Sequence, residues 1–193
     1  MLRVIIIFFF MVAVCPLSAD GVHHLSGAGE DAQLDKLTFT GTQSWATKYL
    51  DRRRHATRFF PADWRKVFSL PQPPANSSPR TIAELAYLEK LLKSRGRHTK
   101  QIKSEVKVAN YQWGGLSYKS LTQSKKYAQT GKLMRAAYND LAVAVFTFKH
   151  RFDRVRPSIL GKQSGKDIGT VIDVPAHPAY PSGHATGAFT LAY

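Results

Sequence analysis

Residues 131–157 read GKLMRAAYNDLAVAVFTFKHRFDRVRP, and the greater part of that stretch decides the fold class. Leu133, Ala137, Leu141, Ala144, Val145 and Phe148 recur at helical spacing on one face, and the alanines let a neighbouring helix approach closely. The pattern predicts a buried helix from about Gln123 or Thr130 to Lys149. Its end changes character: Lys149, His150, Arg151, Arg154 and Arg156 crowd the positions before Pro157. Proline disfavours α conformation at the residue before it, so Arg156 is expected in a turn beyond the helix. A buried helix thus delivers cations to its own end.

Working upstream, Pro71-Gln72-Pro73-Pro74-Ala75-Asn76-Ser77-Ser78-Pro79 reads as an extended connector, and Asn76-Ser77-Ser78 within it has the form of a glycosylation acceptor. A second helix follows. Either Ser78 caps it with Pro79 at the first position, or Thr81 and Glu84 form a capping box. Ile82, Leu85, Leu88 or Glu89, and Leu92 supply its apolar stripe, and Gly96 is placed to stop it. Asn110 to Gly115 reads as a turn. The stretch Ser44 to Phe60 suggests a short helix whose run Arg52-Arg53-Arg54-His55 faces water, and Gly21 to Gly41 an irregular arm. Val171 to Val174 is the one short strand candidate, boxed in by Pro175 and Pro178. The fold class expected is all-α, a helical bundle.

The first residues belong to a different category. Met1-Leu2-Arg3 and the unbroken apolar run Val4 to Val14 predict a secretory signal peptide over residues 1–19, and hence a periplasmic or secreted product. The run is shorter than the roughly 20 apolar residues that span a bilayer, and no later stretch reaches that length, so no membrane span is expected after signal removal. Cys15 is the sole cysteine and lies inside this segment, which leaves no disulfide and no cysteine-based metal site in the mature chain. His23-His24 read as solvated tail residues, and no metal ligands are assigned. The organisation expected is therefore a signal peptide over 1–19, an N-terminal arm with short helices over 20–70, and a helical domain over 71–193.

The formal charge is +15, and signal removal takes away a single basic residue, Arg3. Such an excess points to an anionic partner or substrate. A specific nucleic-acid module is disfavoured, because the basic residues are scattered and the aromatics do not interleave with them. A small phosphorylated molecule fits better.

Downstream, His177-Pro178-Ala179-Tyr180-Pro181-Ser182-Gly183-His184 opens into a new helix. Ser182 is placed to cap it. Free backbone N–H groups at such a start attract anions, Gly183 lets an oxyanion approach the backbone, and the serine hydroxyl adds a donor. His184 lies in the first turn, where an imidazole can pass a proton to a leaving oxygen. Lys149 and Arg156 complete the set, the first as a compact ammonium and the second as a planar fork.

Lys149, six intervening residues and Arg156-Pro157, followed by Pro181-Ser182-Gly183-His184, resemble the first two signature motifs of the type 2 phosphatidic acid phosphatase and haloperoxidase superfamily. The signal peptide, the Pro-rich connector and the helix after it resemble its bacterial class A acid phosphatases, over about Pro71 to Tyr193. The resemblance implies a metal-independent phosphomonoesterase working through a phosphohistidine. By the same resemblance Lys149, Arg156, Ser182 and Gly183 bind phosphate and His184 is the general acid; His177 would be a neighbouring pocket or turn residue. No cofactor is implied, except vanadate in the alternative reading as a vanadium-dependent haloperoxidase.

The sequence departs from that pattern in one respect. The family's third motif supplies a further arginine, a nucleophilic histidine and an aspartate, and residues 185–193 contain none of them. A chain lacking its nucleophile is expected to be inactive, a truncated form of the phosphatase domain. A non-catalytic phosphate or polyanion binder is the reading from a different class.

Overall fold

In the computed structural model, residues 32–95, 98–104 and 125–192 are described. The signal peptide, His23-His24, the Gly96 stop and the turn at Asn110 to Gly115 lie outside them. The described residues contain helices and turns and no strand, which agrees with the all-α expectation. Val171 to Val174 accordingly forms no strand, and Ile172 and Val174 are exposed.

In chain order the helices are α1 (Ala32–Asp35), α2 (Phe39–Thr42), α3 (Thr47–Arg52), α4 (Trp64–Val67), α5 (Pro79–Arg95), α6 (Ala128–Phe152), α7 (Pro157–Gln163) and α8 (Gly183–Ala192). The long helix α6 is the axis, with α3 and α8 packed against it. Its buried surface is concentrated from Asp140 to Lys149. Leu133, placed by the sequence pattern on the buried face, is instead 57% exposed, and the buried apolar residues of α6 lie in its C-terminal half. The helix also runs three residues beyond Lys149. It stops at Asp153, whose backbone is left-handed with φ 44. Aspartate tolerates that region, and its carboxylate accepts hydrogen bonds from the Thr40 amide and hydroxyl.

That contact is one reason the N-terminal arm is ordered where an irregular segment was expected. Two short helices occur within it, α1 and α2, the second capped by the Thr38 hydroxyl accepting from Gly41 N at 3.0 Å. Their apolar side chains are committed to the core. Leu34 joins Leu85, Val155 and Leu160 in one buried cluster, and Phe39 is wholly buried. A second cluster gathers Trp64 with Val143, Ala144 and Phe148. Residues before the Pro-rich connector therefore share both clusters with residues after it.

The start of α5 resolves the two capping options. Ser78 Oγ accepts from Thr81 N at 3.3 Å with Pro79 as the first helical residue, while Glu84 pairs with Arg80 at 3.1 Å instead of reaching back to the helix start. Asn76, just before, is 5% exposed. Its Nδ2 donates to the carbonyls of Leu34 and Leu37, and its Oδ1 accepts from Arg154. Folding therefore closes this glycosylation acceptor: every polar atom of its amide already has a partner.

Candidate functional site

The cations at the end of α6 divide into two kinds. Arg154 is structural: its guanidinium donates to Pro74 O, Asn76 Oδ1 and Thr81 Oγ1, which pins the connector onto α5. Arg151 and His150 are exposed on the last turn of α6. Lys149 and Arg156 differ from all of these, because both turn toward one loop, residues 175–179.

Arg156 follows the helix end with φ −72 and ψ 142, the extended backbone that Pro157 requires of the residue before it. Pro157 then opens α7, a helix the sequence pattern did not indicate, since seven residues with a glycine among them carry little periodicity. Arg156 thereby stands at a helix N-cap with its side chain directed at the loop. Its Nε donates to His177 O at 2.8 Å and its Nη2 to Pro175 O at 3.2 Å. Lys149 reaches the same loop from α6, its Nζ donating to Pro178 O at 2.6 Å and Ala179 O at 3.2 Å.

The electrostatic consequence is unusual. Lys149 is 2% exposed, and among the described residues neither it nor Arg156 is paired with a carboxylate. Loss of solvation, together with the positive Arg156, pushes the Lys149 ammonium down to about 7. Desolvation likewise lowers Arg156. Carbonyl dipoles satisfy the donors without cancelling the charge, so two positive groups stand in a partly dehydrated position with no fixed negative partner.

His177 supports this pair. Its Nδ1 lies 2.9 Å from Arg156 Nη2. The same Nδ1 lies 3.0 Å from Pro178 O: it accepts from Arg156 when the proton is on Nε2 and donates to the Pro178 carbonyl when it carries the proton itself. The ring is edge-on to both Tyr49 and Phe146, and burial, with Lys149 and Arg156 nearby, lowers it to about 4, so it is neutral at ordinary pH. The Tyr49 and Phe146 contacts carried no signal in the sequence. The loop is fixed from its other sides by Ala46 N donating to Ala176 O and Ala179 N to Arg154 O.

From Ala179 the chain continues through Tyr180 and a cis Pro181 into Ser182 and α8. Ser182 caps that helix as expected, its Oγ accepting from Ala185 N at 3.2 Å. Gly183 is set against α6: a Cβ built there would lie 3.6 Å from Val145 Cγ1. Val145 is one helical turn before Lys149, on the same side of α6. The start of α8 and the Lys149–Arg156 pair therefore adjoin one strip of α6. Ser182 and His184 are both exposed there, open to a ligand from solvent.

The arrangement offers charge from Lys149 and Arg156, and backbone and hydroxyl donors from the start of α8. Among the described residues, no group of three or more His, Cys, Asp or Glu side chains is placed to hold a metal ion. None of the helices described is long and apolar enough to cross a membrane. In comparisons with known proteins, the chain matches no family model, no curated protein and no solved structure.

Proposed function

We propose that this chain forms the phosphate-binding part of a secreted or periplasmic phosphomonoesterase of the type 2 phosphatidic acid phosphatase and haloperoxidase kind, closest to the class A acid phosphatases. Lys149 and Arg156 neutralise the phosphoryl oxygens. Ser182 Oγ and the Gly183 amide bind a further oxygen, and His184 protonates the leaving oxygen of the ester. His177 is a positioning residue, holding Arg156 in place. The site uses no metal ion.

One observation carries the reading: two adjoining, desolvated cations, without a carboxylate partner among the described residues, held by a loop that runs directly into a capped helix start. Buried charge is costly unless compensated, and an incoming dianion compensates both at once while meeting the positive end of α8. Surface lysines spread for solubility would not be buried, and a structural ion pair would bring its own carboxylate.

The nucleophile implied by the resemblance has no counterpart among residues 185–193, so the proposal for these residues is confined to phosphate binding. The test is a calorimetric titration of inorganic phosphate into this polypeptide, alongside hydrolysis of an aryl phosphate at mildly acidic pH without metal. Saturable binding that Lys149→Met and Arg156→Ala abolish is the expected result. Failure of the native chain to bind phosphate would overturn the proposal. Hydrolysis that disappears in His184→Ala would instead uphold the site and overturn the expectation of inactivity.

A further inference from the structure

A partly open cavity of about 250 Å³ adjoins the start of α8, bounded by Phe60, Phe68, Leu70, Val145, Phe148 and Pro181. Two relationships tie it to the phosphate site. Pro181 and Thr186, which both line it, bracket Ser182 and Gly183 in the chain. On α6, the lining residues Val145 and Phe148 are respectively the residue facing Gly183 and the residue before Lys149.

We infer that this cavity receives the organic half of the substrate and that the half it fits is a single aromatic ring. The inference rests on the phosphate assignment above and adds the class of ester. An anion held at the α8 start has its ester oxygen pointing away from the cations, and this cavity is the concave surface adjoining that start. Its wall carries no charged side chain. Thr186, one of its polar lining residues, already donates its hydroxyl to Ser182 O at 2.7 Å. A sugar or glycerol moiety would lose its water there with Ser69 as the one remaining side-chain hydroxyl in the wall. An aromatic ring loses nothing comparable and meets the edges and faces of Phe60, Phe68 and Phe148. Size agrees: an apolar cavity of roughly 150 Å³ suffices for benzene, so the volume here holds one ring with modest substituents. An aryl phosphate monoester satisfies both the cations and the cavity.

The experiment titrates phenyl phosphate, glycerol phosphate and inorganic phosphate into the full 193-residue chain, and repeats the series with Ala144→Leu. Ala144 lines the cavity and takes no part in phosphate binding, so the added side chain fills the space and leaves the cations alone. Phenyl phosphate is expected to bind at least tenfold more tightly than the other two, and Ala144→Leu to remove that advantage without weakening inorganic phosphate. Inorganic phosphate binding with no advantage for phenyl phosphate would overturn the inference and leave the phosphate site standing. Absence of binding by all three would overturn both. A dimer in solution that Ala144→Leu disperses, with no phenyl advantage, would assign the cavity to a second copy of the chain and also overturn the inference. Should Ala144→Leu fail to fold, the ligand comparison on the unaltered chain decides alone.

Discussion

The ammonium of Lys149 is held 2.6 Å from the carbonyl oxygen of Pro178, 29 positions further along the chain, with no carboxylate partner among the described residues. The carbonyl occupies the direction from which a phosphoryl oxygen would otherwise approach, and Ala179 O takes a second direction at 3.2 Å. Lys149 thus has one donor position left for a ligand, since an ammonium carries three hydrogens. Arg156 spends its Nε and Nη2 on the loop, and no loop contact is recorded for its Nη1. The loop fixes both heads while leaving each a donor to spare.

Replacing Lys149 by methionine tests that division. The substitution keeps the aliphatic stem, removes the charge and leaves two loop carbonyls without their donor. Phosphate affinity is expected to fall at least tenfold, because one of two neutralising groups is gone. Stability should change little: a desolvated, unpaired ammonium is itself unfavourable, and its removal offsets the lost hydrogen bonds. Calorimetric titration and thermal unfolding of the same samples check both statements. A large drop in melting temperature with unchanged phosphate affinity would make Lys149 a structural pin only.

The pH dependence follows from the lowered Lys149. Its pKa is about 7 in the folded chain against an ordinary 10.5, so between those values the unfolded chain binds the extra proton. Stability from this group therefore rises with pH across that window. Anion binding runs the opposite way, because only the charged form attracts the ligand. Sulfate, whose own charge is constant over the range, is expected to bind about equally below pH 7 and to weaken by about tenfold per unit above it, to the extent that binding needs this proton. A sulfate affinity that is flat from about pH 6 to 9 would remove Lys149 from the site.

His177 sets the acid limit. Its pKa is lowered from 6.5 to about 4, so as pH falls through that interval the unfolded chain takes up the proton first and stability declines. Protonation also adds a positive charge beside Lys149 and Arg156 and breaks the Arg156 Nη2 contact at 2.9 Å, which the Nδ1–H bond to Pro178 O offsets only in part. His177→Asn, whose side-chain oxygen can still accept, is expected to flatten the fall in melting temperature between about pH 6.5 and 4. An unaltered acid profile in that variant would place the titrating group elsewhere.

These relationships mark what a sequence reading can and cannot reach. The all-α class was legible because α6 and α5 are long enough for their apolar periods to rise above noise, and the Ser78-Pro79 and Ser182-Gly183 starts were legible because capping is a local rule. That Lys149 and Arg156 act together was expected from the cationic run, but the way the fold holds them was not. It depends on carbonyls of residues 175–179, which every residue possesses and no side-chain pattern reveals. Arg154 is the same lesson reversed: in sequence it belongs to the cationic run, and in space it is spent on Pro74, Asn76 and Thr81. The arm at 32–42 was read as irregular because four-residue helices have no period to detect, although Leu34 and Phe39 are core residues.

Asn76 and Arg154 together give a stability prediction. Asn76→Ala leaves Leu34 O, Leu37 O and part of the Arg154 fork unpaired near the Leu34, Leu85, Val155 and Leu160 cluster. Buried groups left unsatisfied cost about 1–3 kcal/mol each at the outside, with relaxation reducing the sum, so a loss of about 3 kcal/mol is expected on denaturant unfolding. Arg154→Met should cost less in the Asn76→Ala background than in the native chain, since the two share a bond. Additive losses in that double-mutant cycle would show that the contact contributes nothing.

Asp140 supplies the last case, and it concerns how α6 is held rather than what it binds. Its carboxylate is 3% exposed, inside the buried stretch of α6. The carboxylate accepts from Arg58 N at 2.8 Å and Phe59 N at 2.6 Å. Those amides precede Phe60, which lines the aromatic cavity, so Asp140 fixes the segment that brings one cavity wall against α6. Asp140→Asn keeps one accepting oxygen and should cost about 1 kcal/mol, whereas Asp140→Ala strands both amides and should cost about 2–4 kcal/mol. The separate readout is ligand selectivity at a temperature where both variants remain folded. Asp140→Ala is expected to narrow the preference for phenyl phosphate over inorganic phosphate, because one wall of the cavity is loosened while Lys149 and Arg156 stay in place. A variant that is destabilised yet keeps the full preference would mean that Phe60 is held by its contacts with Trp64 and Phe68 without help from Asp140.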